Sequence, residues 1–124
     1  MLTKINKGEL FDIALKHGIK KLVFIQKGDA YCTANGEDIY RNRSFIAGRD
    51  EIYLGIYRDS ELLIASFFHE LGHVLETSGD ILNEEHQAWI NGFNLAEKYG
   101  YKLGLKSRKY ANKCLTTYLI MKGE

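Results

Sequence analysis

Histidines at positions 69 and 73, in the segment His69-Glu70-Leu71-Gly72-His73, constrain this chain more than any other feature. Two imidazoles four residues apart come close enough to share one cation in a helix, where one turn stacks position i+4 above position i, but not in a strand, where they lie about 13 Å apart. Glu70 is then turned about 100° around the axis from His69. Such a helix offers two nitrogens to one cation and sets a carboxylate beside them. An HExxH segment on a helix is the pattern of a zinc site with a glutamate base. The competing reading is a coincidental pair of surface histidines. Apolar Leu71, Val74 and Leu75 around the motif, and a strand expected just before it, argue against that.

The flanking sequence supplies the scaffold. Asn6 and Glu9 are spaced as a capping box, and Leu10, Ile13 and Ala14 follow at helical spacing until Gly18, which predicts a first helix over 6–17. Residues 19–26 (IKKLVFIQ) read as a strand closed by Lys27-Gly28-Asp29, with a return at Tyr31 to Thr33. The polar stretch 35–43 reads as a loop. Residues 44–47 and 51–57 form an expected hairpin around Gly48-Arg49-Asp50, with Ile52, Leu54 and Ile56 on one face and Tyr53, Gly55 and Tyr57 on the other. Asp59 or Ser60 caps the motif helix, which runs towards Gly79, and Gly72 leaves room for close backbone approach. Asn83 caps a third helix ending at Gly100, and a fourth starts near Ser107 with Tyr110, Cys114 and Tyr118 on one stripe.

The chemistry fixes what else is needed. Zinc held by three protein groups keeps a fourth position for water and lowers its pKa towards about 7, so a neighbouring carboxylate can take the proton. Glu70 is placed for that task as general base. The third ligand is sought in Asn83-Glu84-Glu85-His86. At about 100° per residue, Glu85 falls within the apolar stripe of Ala88, Trp89, Phe93 and Ala96, whereas Glu84 and His86 point to either side. Glu85 is therefore the expected ligand, and Glu84 reads as a carboxylate favoured by the helix dipole. His86 reads equally as a polar neighbour of the metal or as a surface residue, and Asp80 as a turn residue. A metzincin extension is excluded, because Glu76 and Gly79 stand where it requires Gly and His.

Composition sets the outer limits. At 124 residues, with 45% hydrophobic and 27% charged residues, one α+β domain over 1–124 is expected. Its core is a small, mainly antiparallel sheet packed against about four helices, with a zincin-like helix carrying the active site. A formal net charge of +1 names no polyanion, and nucleic acid is not an expected partner. Lys98, Lys102, Lys106, Arg108, Lys109 and Lys113 read as a solvated helix face. His17 reads as a partly charged helix C-terminal imidazole. Cys32 and Cys114 belong to no CxxC pair and read as buried free thiols in a cytoplasmic protein. No apolar stretch is long enough for a membrane span.

HELGH followed by a helix containing Glu85-His86-Gln87-Ala88-Trp89 resembles the ImmA/IrrE-type zinc metallopeptidases, in particular the small phage and prophage variants, over roughly residues 51–118. Trp89 stands where the family signature has Asn. The resemblance implies a strand before the motif helix, one zinc held by His69, His73 and Glu85, Glu70 as base, and a protein substrate, often a regulatory protein. Under that reading EIYLGIY is an edge strand along which an extended peptide lies, with Tyr53 and Tyr57 on its exposed face. The alternative from another class is a non-catalytic binding module with a structural zinc, which contacts protein or nucleic acid through the basic C-terminal surface.

Overall fold

A computed structural model describes residues 6–26, 44–47, 50–74 and 81–122, with the side chains of all but 81–83 and 117–122. The expectations for Tyr31 to Thr33, the loop 35–43, Asp80, Cys32, the end of the motif helix near Gly79 and the Tyr118 side chain lie outside the described residues. Within them the chain runs α1 (Lys7–Lys16), β1 (Lys21–Phe24), β2 (Phe45–Ala47), β3 (Glu51–Leu54), α2 (Ser60–Val74), α3 (Ile81–Lys98) and α4 (Leu105–Lys122). This is the expected α+β architecture of a small sheet and four helices. No helix among the described residues is long and apolar enough to cross a membrane.

Helix α1 begins where its capping residue requires, since the Asn6 side chain accepts a hydrogen bond from the Glu9 amide at 3.0 Å. His17 ends it, but its ring turns onto Tyr99, with Nε2 2.9 Å from the phenol oxygen. Burial, then the charges of Lys98 and Lys16, hold His17 below its ordinary pKa. The neutral ring is favoured, and the partly charged helix terminus expected from sequence is not what this histidine provides.

The sheet has the order β1-β3-β2, with β1 parallel and β2 antiparallel to β3. The hairpin is present, with Ile46 opposite Ile52. The sheet is mixed, because β1 adds to the far side of β3 in the same direction. That pairing makes β3 the central strand, so EIYL cannot be the edge expected to receive a peptide. Side chains of both neighbouring strands, Phe45 and Lys21, cover the face thought to be exposed. Tyr53 is only 7% exposed; it stacks on Phe45 at 4.7 Å and donates to Glu51. Tyr57 is half-buried and shares a 3.0 Å hydrogen bond with Ser44.

Helix α2 lies at the centre of the molecule. Leu63, Ile64, Phe67, Phe68 and Leu71 join Ile52 and Leu54 of the sheet, Leu10 and Ile13 of α1, and Leu95 and Ala96 of α3 in the main core. Ala65, on another side of α2, packs with Trp89 and Ala111 towards α4. A helix apolar on most sides is an internal helix. Polar groups on it are therefore costly unless paired or put to use.

Helix α4 begins two residues earlier than its sequence indicates, because its cap comes from another helix. One carboxylate oxygen of Glu61, in the first turn of α2, accepts from the Gly104 and Ser107 amides at 3.3 and 3.2 Å and from the Ser107 hydroxyl. Ser107 is fully buried, so water cannot replace its two bonds. Asp59 caps α2 itself through the Glu61 and Leu62 amides and pairs with Lys106. Glu61→Ala is expected to cost about 1–3 kcal/mol, the penalty of stranding buried donors. Urea unfolding measures it, and an unchanged midpoint would show that the remote cap carries no stability.

Candidate metal centre

The spacing of the two histidines and a close helix crossing assemble this site. His69 and His73 stand one turn apart on α2, with ring centroids 4.7 Å apart. Their Nε2 atoms converge on one carboxylate: His69 lies 2.8 Å from one oxygen of Glu85, and His73 lies 3.0 Å from the other. Glu85 is thus the residue of the Asn83 to His86 cluster that the fold brings to both imidazoles. His86 is exposed, and Glu84 acts on His73 only as a further charge. Helix α3 starts at Ile81, two residues before the expected cap Asn83. Glu85 therefore sits in the second turn, beyond the strongest part of the helix dipole.

Two glycines allow this approach. A Cβ on Gly72 would collide with the Ala88 carbonyl oxygen and stand 3.0 Å from the Gly92 amide nitrogen. A Cβ on Gly92 would stand 2.7 Å from the Phe68 carbonyl oxygen. Backbone meets backbone at both points, and neither can swing aside. Asn91 adds a 3.4 Å contact from its side-chain amide to the Gly72 carbonyl. The sequence pointed to Gly72; its partner Gly92 was missed, although a second glycine inside a helical run is the available signal.

Trp89 is the other residue that sequence reasoning left out of the site. One turn after Glu85, its indole stacks on the His69 ring at 4.0 Å and 8° between planes. The indole also meets Phe93 and, edge-on, Tyr110. His69 is thereby held between an aromatic plane and a carboxylate. The placement of Trp89 one turn from a candidate ligand could have revealed this role.

Burial and charge work against each other here. Burial opposes the charged form of Glu85, but the hydrogen bonds and charges of His69 and His73 outweigh it and bring the carboxyl down to about 2. Burial likewise opposes protonation of His73, and Glu85 outweighs it, so His73 lies above its ordinary value. Glu70 goes the other way. It is 5% exposed, and burial raises its pKa against the opposing pull of the two histidines. One Glu70 oxygen is buried without a hydrogen-bond partner.

This donor set suits a metal ion. Ligand atoms of His69, Glu70 and His73 lie within 4.8 Å of one another, so the group could hold one. Two ligands of a tetrahedral ion, each about 2.0–2.1 Å from it, stand about 3.3 Å apart. The contacts of Glu85 with the imidazoles would need to open by only a few tenths of an ångström to admit a cation among three ligands. The orphaned oxygen of Glu70 then has a natural partner in a water beside that cation.

No family model matches the chain, and no curated protein or solved structure is similar to it at a significant level.

Proposed function

We propose that the chain is a zinc metallopeptidase of the ImmA/IrrE type, in which His69, His73 and Glu85 hold one zinc ion and Glu70 is the general base. The observation that carries this reading is the convergence of both Nε2 atoms on Glu85 beside a buried, partly unpartnered Glu70. Zinc bound there would polarise the scissile carbonyl and acidify a water molecule. The protein's own part falls mainly to Glu70. A carboxylate raised by burial is a stronger base than one in water, so Glu70 is suited to take a proton from the attacking water and pass it to the leaving amine. Trp89 fixes the plane of His69, and the Gly72–Gly92 crossing fixes Glu85, so the ligands are set before substrate arrives. The resemblance of the motif and its following helix points to a protein substrate, with a regulatory protein as the expected kind.

The test uses Trp89, the only tryptophan of the chain. Zinc added to chelator-stripped protein is expected to change Trp89 fluorescence with a one-to-one endpoint and to restore cleavage of a protein substrate. Protons should be released on uptake, since Glu85 raises the pKa of His73 and a metal requires the neutral ring. The sign with pH follows from both partners. Glu85 contributes stability above its ordinary 4.5, lost as pH falls towards about 2. His73 contributes below 6.5, lost as pH rises through its raised value. Stripped protein should accordingly gain most from this pair between pH 4.5 and 6.5, and zinc should bind more weakly as pH falls. Titration calorimetry in two buffers of different ionisation enthalpy measures the protons; no fluorescence endpoint and no zinc uptake would defeat the proposal.

A further inference from the structure

Charge is divided along this chain. Residues 98–123 hold seven of the 17 Lys and Arg and none of the 16 Asp and Glu. The remainder carries ten basic against 16 acidic residues, and the formal net charge of +1 conceals the division. The fold then places part of the basic set on one surface. Helix α4 buries Ser107 and Ala111 and turns Tyr110 and Cys114 towards Trp89. Its opposite side exposes Arg108, Lys109, Asn112, Lys113 and Thr116, and Lys102 is exposed just ahead of it. Lys109, Asn112, Lys113 and Thr116 follow helical i, i+3, i+4 and i+7 spacing and so form one stripe. Lys106 pairs with Asp59.

A surface so composed fits a polyanion, and the scarcity of apolar anchors among its described residues selects which kind. Protein interfaces draw their energy from buried aromatic and aliphatic side chains at their centre. Among the described residues of this face the only large apolar side chain is Leu105, at the helix start. A phosphate backbone needs no such anchor: Lys and Arg neutralise its charge, and a side-chain amide such as that of Asn112 hydrogen-bonds its oxygens, whereas the Thr116 hydroxyl already donates to the Asn112 carbonyl. We propose that the outer face of α4, together with Lys102, docks the phosphate backbone of nucleic acid without reading its bases. The face lies on the side of α4 turned away from Trp89, so docking and the metal centre are separable.

Fluorescence anisotropy of the full chain with a labelled DNA duplex of about 20 base pairs tests this, with micromolar binding expected at about 50 mM salt. Four phosphate contacts should weaken it on the order of 100-fold by about 200 mM salt. The variant Lys102→Gln/Arg108→Gln/Lys109→Gln should bind at least about tenfold more weakly at the lower salt, with unchanged circular dichroism. A control variant on another surface, Lys16→Gln/Lys20→Gln, should bind as the parent does. No binding at the lower salt, equal weakening in the control, an unaffected triple variant, or an acidic peptide of similar charge competing as well as duplex would each overturn the proposal.

Discussion

Glu70→Gln is expected to lower peptide hydrolysis by about 10²–10⁴-fold, the usual contribution of a positioned acid–base group, while zinc content and fold remain. Gln keeps the volume of Glu at a site only 5% exposed, so packing should be preserved. It removes the basic oxygen, however, and with it the route from water to leaving amine. Burial raises the pKa of Glu70 even though two histidines pull it down, and that is the feature lost in the variant. The measurement is the cleavage rate together with zinc per chain. A variant keeping more than about a tenth of the parent rate would remove Glu70 from the base role, given the size of that contribution. Loss of zinc along with activity would make it a ligand instead, a distinction that matters because Glu70 lies within 4.8 Å of both histidines.

Gly72→Ala should have the largest structural effect. Inside a helix, Ala is favoured over Gly by about 1 kcal/mol, so local propensity predicts stabilisation. At this position the added methyl group would collide with the carbonyl oxygen of Ala88 on the neighbouring helix. Overpacking of this kind costs about 1–3 kcal/mol and occasionally more, and a backbone obstacle puts the cost at the upper end. The net expectation is a loss of about 2 kcal/mol, or roughly 5–10 °C in melting temperature for a chain of this size. Relief of the clash would push α3, and Glu85 with it, away from the histidines. Zinc affinity should therefore fall together with stability. A Gly72→Ala variant as stable and as zinc-competent as the parent would show that α2 and α3 do not need this close contact.

The parts of the fold that could be read from the sequence are those fixed by neighbours in the chain. Asn6 and Glu9 mark the start of α1 because a cap acts over three residues. His69, His73 and Glu85 could be picked out because helical geometry alone decides which side chains share a face. What escaped depends on distant partners. The place of β3 in the sheet is set by β1, and no pattern within EIYLGIY announces a parallel neighbour. The start of α4 is set by Glu61, more than 40 positions away. Asn83 reads as the cap of α3 and Asp80 as a turn residue, whereas the helix already runs at Ile81. Trp89 looked like ordinary core because an apolar stripe does not show that one member stacks on an imidazole.

The bond from Glu61 to the first turn of α4 ties two regions of different character. The carboxylate that finishes the lysine-rich helix belongs to the same rod of backbone that carries both imidazoles eight and twelve positions later. Excised as a peptide, the C-terminal helix would lose the acceptor that organises its opening turn, and it should show far less helicity than it has in the intact chain. Its charged side is aimed by a neighbour, so loosening that single acidic side chain should blur the orientation of everything from Gly104 onward.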